Sequence, residues 1–465
     1  MEKPPKNKIS IFDINRTVKK RIFPLFFVIM KLQKLLEEII MAKRYTVAIL
    51  GTGARGADTY GKLIQSLPEK FEIVALCDLK QDRLTRWGKE FGVQEENLFL
   101  DENEFFKEKR ADLLVIGTQD KDHFGHAVKA FKAGYDILVE KPLTDSRDEC
   151  IQLLNAQKQY GGKALVCHVL RYAPAFLKAA ELIDGGEIGK LVTIQAYERV
   201  GYWHQAHSYV RGNWRDTTKS TPMILAKCCH DLDLIQYYAK SKCVNVSSIG
   251  GLSHFKAENA PEGSATRCVE CKYVDSCPYS AKRIYIDRWK SDPLNNRFCP
   301  VDVWPYNVIT TPPLTEEKLY DAIKSGPYGR CVYRCDNNAV DHQMTNMLFE
   351  NGVTASLLMT GFNGQGGRRM VFGGTLGELV LEEQEEKITV WRYGEEAKTI
   401  DTSKLADDKG YGHGGGDYAL IHSLYDMLEG KSSSATALEA SVESHLMGIA
   451  AEESRKQNGV LIPVH

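Results

Sequence analysis

Two textures of apolar and polar positions divide the chain. Over residues 42–167, short apolar runs alternate with stretches whose apolar residues recur at helical spacing. Thr46–Leu50, Ile73–Cys77, Ala111–Gly117, Ile137–Val139 and Ala164–Cys167 predict buried strands, while Ala57–Leu67, Gln81–Phe91, His123–Ala133 and Ser146–Tyr160 predict helices. Strict alternation of the two implies parallel strands, joined by crossover helices that cover both faces of the sheet. The expected first domain is therefore a doubly wound α/β unit.

Beyond residue 167 the period changes to two. Leu191–Val200, Val244–Gly250, Val340–Phe349, Val353–Met359, Arg369–Phe372 and Lys387–Arg392 predict strands, and Asn351 with Gly352 predicts a hairpin turn between two of them. Helices are expected at Tyr172–Asp184, Met223–Ala239, Asp417–Leu428 and Ala437–Arg455. Residues 168–465 thus predict a second α/β domain with an open, mostly antiparallel sheet. At the other end, Lys19, Lys20 and Arg21 precede an apolar run, Ile22–Met30, that is too short to span a bilayer. No small-residue cleavage site follows it, because Lys31–Ile40 reads as an amphipathic helix. Residues 1–41 are expected to be a non-catalytic extension, with the first domain beginning after Met41.

A chain of 465 residues holds two or three domains. Its formal charge of -1 and pI near 6.9 exclude a strongly basic nucleic-acid or membrane-surface protein. Twelve cysteines, several inside predicted strands and helices, fit reduced thiols and metal ligands in a cytoplasm better than a disulfide framework.

The chemistry begins where the first strand ends. Gly51, Gly53 and Gly56 in GTGARG lie between that strand and a helix, an arrangement that brings amides and a helix N-terminus against a pyrophosphate. Asp78 closes the second strand about 20 residues on, where a carboxylate holds a ribose 2′-OH and repels the phosphate of NADP. Together these predict a Rossmann domain that binds NAD. Glu140, Lys141 and Pro142 follow the strand Ile137–Val139, at the sheet edge where reacting side chains belong.

GTGARG, Asp78, TQDKDH (118–123), EKP (140–142) and HDLD (230–233), in that order, resemble the Gfo/Idh/MocA oxidoreductases, relatives of glucose-fructose oxidoreductase and inositol dehydrogenase. The resemblance spans about residues 43–460 and is interrupted by a Cys-rich insertion, 253–335. It implies sugar or cyclitol chemistry in a cleft between the domains, and an open sheet that mediates homo-oligomers. By that resemblance Gly51, Gly53, Ala54, Arg55, Gly56, Asp78, Thr118, His123, Glu140 and Lys141 face the cofactor. Lys141 would touch the reacting hydroxyl, His230 would exchange its proton, and Asp231 or Asp233 would hold neighbouring hydroxyls or brace the helix. Many members carry an Asp four residues before the His. Here that position is Ala226, which leaves the neighbouring Lys227 as a candidate to take part.

Other candidates come from the residues themselves. Gly201–Arg215, read as a loop, carries Trp203, His204, His207, Arg211 and Trp214, a mixture suited to a sugar's apolar faces and hydroxyls or to a subunit contact. His168, Arg171 and Tyr172 follow the last strand of the first domain. His413 lies in a glycine-rich loop. In the insertion, Cys268, Cys271, Cys277 and Cys299 could close a structural Zn²⁺ site, or an iron–sulfur cluster, folding a segment that reads as too polar for its own core. Cys331 and Cys335 are near enough in sequence to substitute. The expected function is NAD-dependent oxidation of a secondary hydroxyl of a sugar, glycoside or cyclitol. The alternative is a glycosidase with resident NAD that acts by transient oxidation and elimination, and a sugar sensor without catalysis is a third class.

Overall fold

The computed structural model describes residues 43–291, 304–405, 412–431 and 436–465; the expected extension 1–41 and Cys299 lie outside them. The first sheet has six parallel strands, β1 (Tyr45–Leu50), β2 (Phe71–Cys77), β3 (Leu98–Phe99), β4 (Leu113–Ile116), β5 (Asp136–Val139) and β6 (Ala164–Val166), in the order β3, β2, β1, β4, β5, β6. Every residue of β4 is buried, as continuous apolar runs covered on two faces require. The crossover helices include α1 (Gln81–Phe91), α2 (His123–Lys132) and α3 (Arg147–Tyr160). Helix α3 starts on Ser146, whose hydroxyl accepts the Glu149 amide, and stops at Gly161. The helix expected at Ala57–Leu67 instead starts earlier, as a wide turn over Ala54–Gly61 that continues through Lys62–Gln65.

After α4 (Pro174–Asp184) comes the second sheet, of nine strands: β7 (Leu191–Gly201), β8 (Cys243–Gly251), β9 (His342–Phe349), β10 (Thr354–Asn363), β11 (Gly367–Gly374), β12 (Gly377–Glu382), β13 (Lys387–Arg392), β14 (Lys398–Asp401) and β15 (Ile462–Pro463). β7 sits in the middle, parallel to β10 and antiparallel to β11, and every other pair is antiparallel. β9 is exposed and buried at alternate residues, so one face of the sheet packs and the other stays open. The stretch Met223–Ala239 is not one helix: it breaks at Lys227 and Cys228 into Met223–Ala226 and α5 (Cys229–Ala239). No glycine or proline marks that break.

The insertion differs from expectation. Phe255, Tyr285, Tyr306 and Tyr328, with Leu319 and Ile323 of α6 (Glu316–Ser325), form a third apolar cluster, so this segment does build a core. Aromatic rings dispersed among polar residues supply it. Helix α7 (Gly416–Leu428) also departs from the expected division of the chain. Its Leu420, Ile421 and Leu424 pack with Val47, Ile49 and Leu63 of the first domain, and Tyr45 Oη donates to Glu429 at 2.9 Å. Helix α8 (Leu438–Lys456) then packs on β8 and α5 and reaches back to α3 through Arg147 and Glu453, 2.8 Å apart. Among the described residues no helix is long and apolar enough to cross a membrane.

Candidate active site

The glycine turn is a backbone cradle made by close approach. Gly51 has φ +87°, and a Cβ there would meet the Gly117 carbonyl carbon at 2.7 Å. A Cβ on Gly56 would lie 2.0 Å from Gly51 O. At Gly53 a Cβ would meet only an Arg83 nitrogen, at 3.6 Å, so this side of the turn has space. The first intrahelical bonds run from Ala57 and Asp58 N–H to Gly53 O, which leaves the preceding amides at the helix start available to a diphosphate. Asp78 locks the turn: its Oδ2 accepts Thr52 N–H at 2.7 Å and Thr52 Oγ1 at 2.9 Å, and its Oδ1 accepts Lys80 N–H at 3.0 Å. A carboxylate accepts about four such bonds, so one position remains for a ribose hydroxyl.

Arg55 joins this cradle to the chemistry. Its guanidinium donates to Glu140 Oε1 at 2.7 Å, to Asp417 Oδ1 at 2.7 Å and to Tyr60 Oη, while Tyr60 Oη donates to Glu140 at 2.7 Å. Burial would raise Glu140, yet Arg55 and Lys141 hold its carboxyl below the ordinary range. Asp417 is likewise depressed against its burial, by Arg55 and by His413, which hydrogen-bonds it at 2.9 Å. His123 is buried, with Nδ1 on Pro142 O at 2.7 Å and Nε2 on Thr118 O at 3.2 Å. It therefore orients the Lys141–Pro142 turn.

Lys141 Nζ donates to Ala226 O at 3.1 Å, leaving donors for a ligand. Burial opposes its charge, but Cys229, Glu140 and Asp120 together hold its pKa above the ordinary lysine value. Around it stand imidazoles kept neutral. His230 is held well below the usual histidine range by burial and then by Lys141, Arg368, His168 and His413. His168 is lowered by burial, Arg171 and Lys141. Both ring nitrogens of His168 and Nδ1 of His230 are buried without a hydrogen-bond partner in the protein. One atom of each ring and Cys229 Sγ lie within 4.8 Å of one another. These are metal-ligand types, although the Lys141 ammonium stands beside both rings. Buried polar atoms left open in such a pocket suit the hydroxyls of a polar substrate.

The remaining candidates separate into two groups. His204 and Lys227 share the Lys141 pocket: burial first, then Lys227, His207 and Lys141, keeps His204 neutral. Trp214 enters through Asp120, whose Oδ2 accepts Trp214 Nε1 at 2.9 Å and Thr221 Oγ1 at 2.6 Å. Trp203 stacks under the Arg288 guanidinium, 3.9 Å from the ring centre, and beside Trp304. The others have been committed elsewhere. Arg171 grips Asp233 with bonds of 2.7 and 2.8 Å, Arg368 grips Asp231 at 2.9 Å, and Tyr172 Oη bonds Thr436 Oγ1 at 2.8 Å. These brace α5 and the first domain instead of offering free donors or acceptors. Arg211 points into the insertion, where it donates to Arg330 O, Tyr279 O and Cys268 Sγ. Nor is Gly201–Arg215 a loop: it coils through Tyr202–His204, Gln205–Arg211 and Asn213–Arg215, with Ala206 and Val210 buried against the insertion.

Sequence reasoning passed over Tyr60, Asp120, Glu198, Arg368, Asp417 and His445. Glu198 and Arg368 come from neighbouring strands and meet at 2.6 Å, with Lys227 Nζ 3.5 Å from Glu198. His445, on α8, accepts the Leu143 amide on Nε2 at 2.9 Å just after the EKP turn. No motif surrounds most of these residues. Asp120 lay inside a segment already singled out, TQDKDH, and Asp417 ends the glycine-rich stretch GHGGGD around His413.

The family model for the Gfo/Idh/MocA oxidoreductases, NAD-binding Rossmann fold, matches residues 45–168, and that for the C-terminal α/β domain of the same oxidoreductases matches residues 180–464. A Bacillus subtilis (strain 168) protein named as an oxidoreductase, YteT, is 22% identical over 84% of this chain and 93% of its own. The scyllo-inositol 2-dehydrogenase (NAD(+)) of the same strain is 28% identical over 45% of this chain and 58% of its own length. Among solved structures, a levoglucosan dehydrogenase in complex with NADH and levoglucosan superposes with a TM-score of 0.65 at 16% identity, covering 91% of this chain and all of that one.

Proposed function

The chain belongs to the Gfo/Idh/MocA oxidoreductase family, whose first domain binds NAD, and we propose that it transfers a hydride between NAD and a secondary hydroxyl of a sugar, glycoside or cyclitol. The observation that carries this reading is the convergence of the Lys141 ammonium with neutral His230 and His168; Nδ1 of His230 and both ring nitrogens of His168 have no hydrogen-bond partner among the described residues. NAD supplies the hydride acceptor when bound. The protein's part is to move the proton and hold the developing charge. His230, neutral at physiological pH, accepts the carbinol proton, and Lys141 donates to the oxygen as it becomes an alkoxide. His168, His204 and Lys227 hold adjacent hydroxyls. The missing Asp before His230 is answered by Glu198 and Lys227, which supply fixed charge from β7 and from the break before α5.

A polyhydroxylated ring suits a pocket with several open polar atoms and aromatic walls. The relatives named for a cyclitol and for an anhydrosugar point the same way. They are dehydrogenases, which favours net hydride transfer over the NAD-assisted glycosidase. The test is NADH formation across a panel of cyclitols, aldoses and glycosides, with NAD affinity measured separately. A protein that binds NAD but reduces it with no polyol of the panel sinks the proposal. The open sheet face, carrying Ile249, Met344 and Leu348, is proposed as the contact between copies of the chain, to be checked by light scattering.

A further inference from the structure

Four cysteines from two separate stretches of the insertion, Cys268, Cys271, Cys277 and Cys331, line one cavity of about 20 Å³, with Arg211 in its wall. All four are free thiols. Interiors normally close around sulfur as they close around carbon, so four sulfurs facing a common void lack a packing reason. A further observation says what the void is for. Arg211 is buried, and among the described residues its donors go to the Arg330 and Tyr279 carbonyls and Cys268 Sγ, at 3.4 Å, with no carboxylate, while its Nη1 has no partner. A buried guanidinium without a counter-charge is costly, so an anion belongs beside it.

We propose that Cys268, Cys271, Cys277 and Cys331 form a tetrathiolate centre for a [4Fe–4S] cluster, with Arg211 as counter-ion to its net negative charge. The sulfurs are spread wider than a single Zn²⁺ requires: no three of them lie within 4.8 Å of one another, against about 3.8 Å between thiolates around tetrahedral Zn²⁺. Four thiolates around an oxidised [4Fe–4S] cluster carry about two negative charges. Cys331 takes the fourth position that sequence spacing had given to Cys299. Cys335 stays outside, its Sγ donating to Cys331 O at 3.3 Å. The centre is structural. It ties the Cys268–Cys277 turns to Cys331 and anchors Arg211, the last residue of the turn Gln205–Arg211 that begins directly after the pocket residue His204.

The experiment is elemental analysis of full-length protein purified anaerobically from cells supplied with zinc and iron, with a visible spectrum of the same sample. A brown protein with about four irons and matching acid-labile sulfide supports the centre. A colourless protein with about one zinc per chain overturns it. C331S should lose at least half of the metal, whereas C299S and C335S should keep it, with circular dichroism reporting that each is folded. Metal-free wild-type protein whose thiols all react with a maleimide overturns the proposal, and so does full retention of metal in C331S.

Discussion

Replacing Lys141 with methionine removes the ammonium proposed to face the reacting oxygen while keeping most of the side chain's volume. The lost interaction is a desolvated, charge-assisted hydrogen bond to an alkoxide, which corresponds to about 3–4 kcal/mol of transition-state stabilisation, or roughly 10²–10³ in kcat. A second effect follows from the electrostatics. After burial, Lys141 is the largest influence depressing His230, so without it the imidazole's pKa rises. A base that is neutral in the wild type across neutral pH then begins to protonate as pH falls, and the acidic limb of kcat/KM moves to higher pH. Lys141→Arg keeps the charge but spreads it over a wider, planar group. It should lower kcat while leaving that limb in place. Steady-state NAD reduction from pH 5 to 9, with NAD affinity from calorimetry, separates these outcomes. If Lys141→Met keeps kcat within about threefold of wild type, or if its acidic limb stays in place while NAD binds normally, the pairing of Lys141 with His230 is wrong.

Gly56→Ala should abolish NAD binding and lower the melting temperature, because its Cβ falls 2.0 Å from a backbone oxygen that has no room to retreat; calorimetry and thermal unfolding report the two losses. Arg55→Met leaves Glu140 and Asp417 buried without their cation, at a cost of about 3–5 kcal/mol near pH 7. In the wild type both carboxyl pKa values are depressed, so the pair adds stability above the unfolded value near 4 and loses it as pH falls. In the variant they are raised instead, and the deficit against wild type should shrink on acidification, as urea melts at pH 7 and pH 4.5 would reveal. Asp78→Asn removes the charge that opposes a 2′-phosphate and leaves Arg83, 3.6 Å away, free to meet it. The ratio of NADP to NAD affinity should rise about tenfold, and an unchanged ratio would move cofactor choice away from this turn.

Local patterns were legible for local reasons. The glycine turn needs strand, turn and helix within one short stretch, and Asp78 follows at the end of the next strand, so that whole cradle can be read along the chain. β9 alternates because one face is buried, and Asn351–Gly352 turns because Gly352 has φ +85°. The pocket is different. Lys141, His168, His204, Lys227 and His230 come from four separate stretches; all five were candidates beforehand, but so were Arg171, Arg211 and Asp231, which the fold pairs off elsewhere. Arg211 and Trp203, neighbours in an aromatic stretch, look equally suited to a sugar, yet one faces cysteines and the other a guanidinium.

From sequence alone came the two-domain α/β architecture, the dinucleotide turn and the residue types available for proton transfer. Periodicity and short-range spacing encode these, since each depends on backbone geometry within one element or across one turn. Tertiary structure alone decided which charges are paired off and which are left open. Asp231, Asp233 and Arg171 are held in ion pairs, His168 and His230 keep ring nitrogens without a hydrogen-bond partner, α7 returns to the first sheet, and Cys331 joins Cys268, Cys271 and Cys277 around one cavity. Whether a polar group is free depends on what other segments bring within hydrogen-bond range, and that distance is not written in the spacing of residues along a chain.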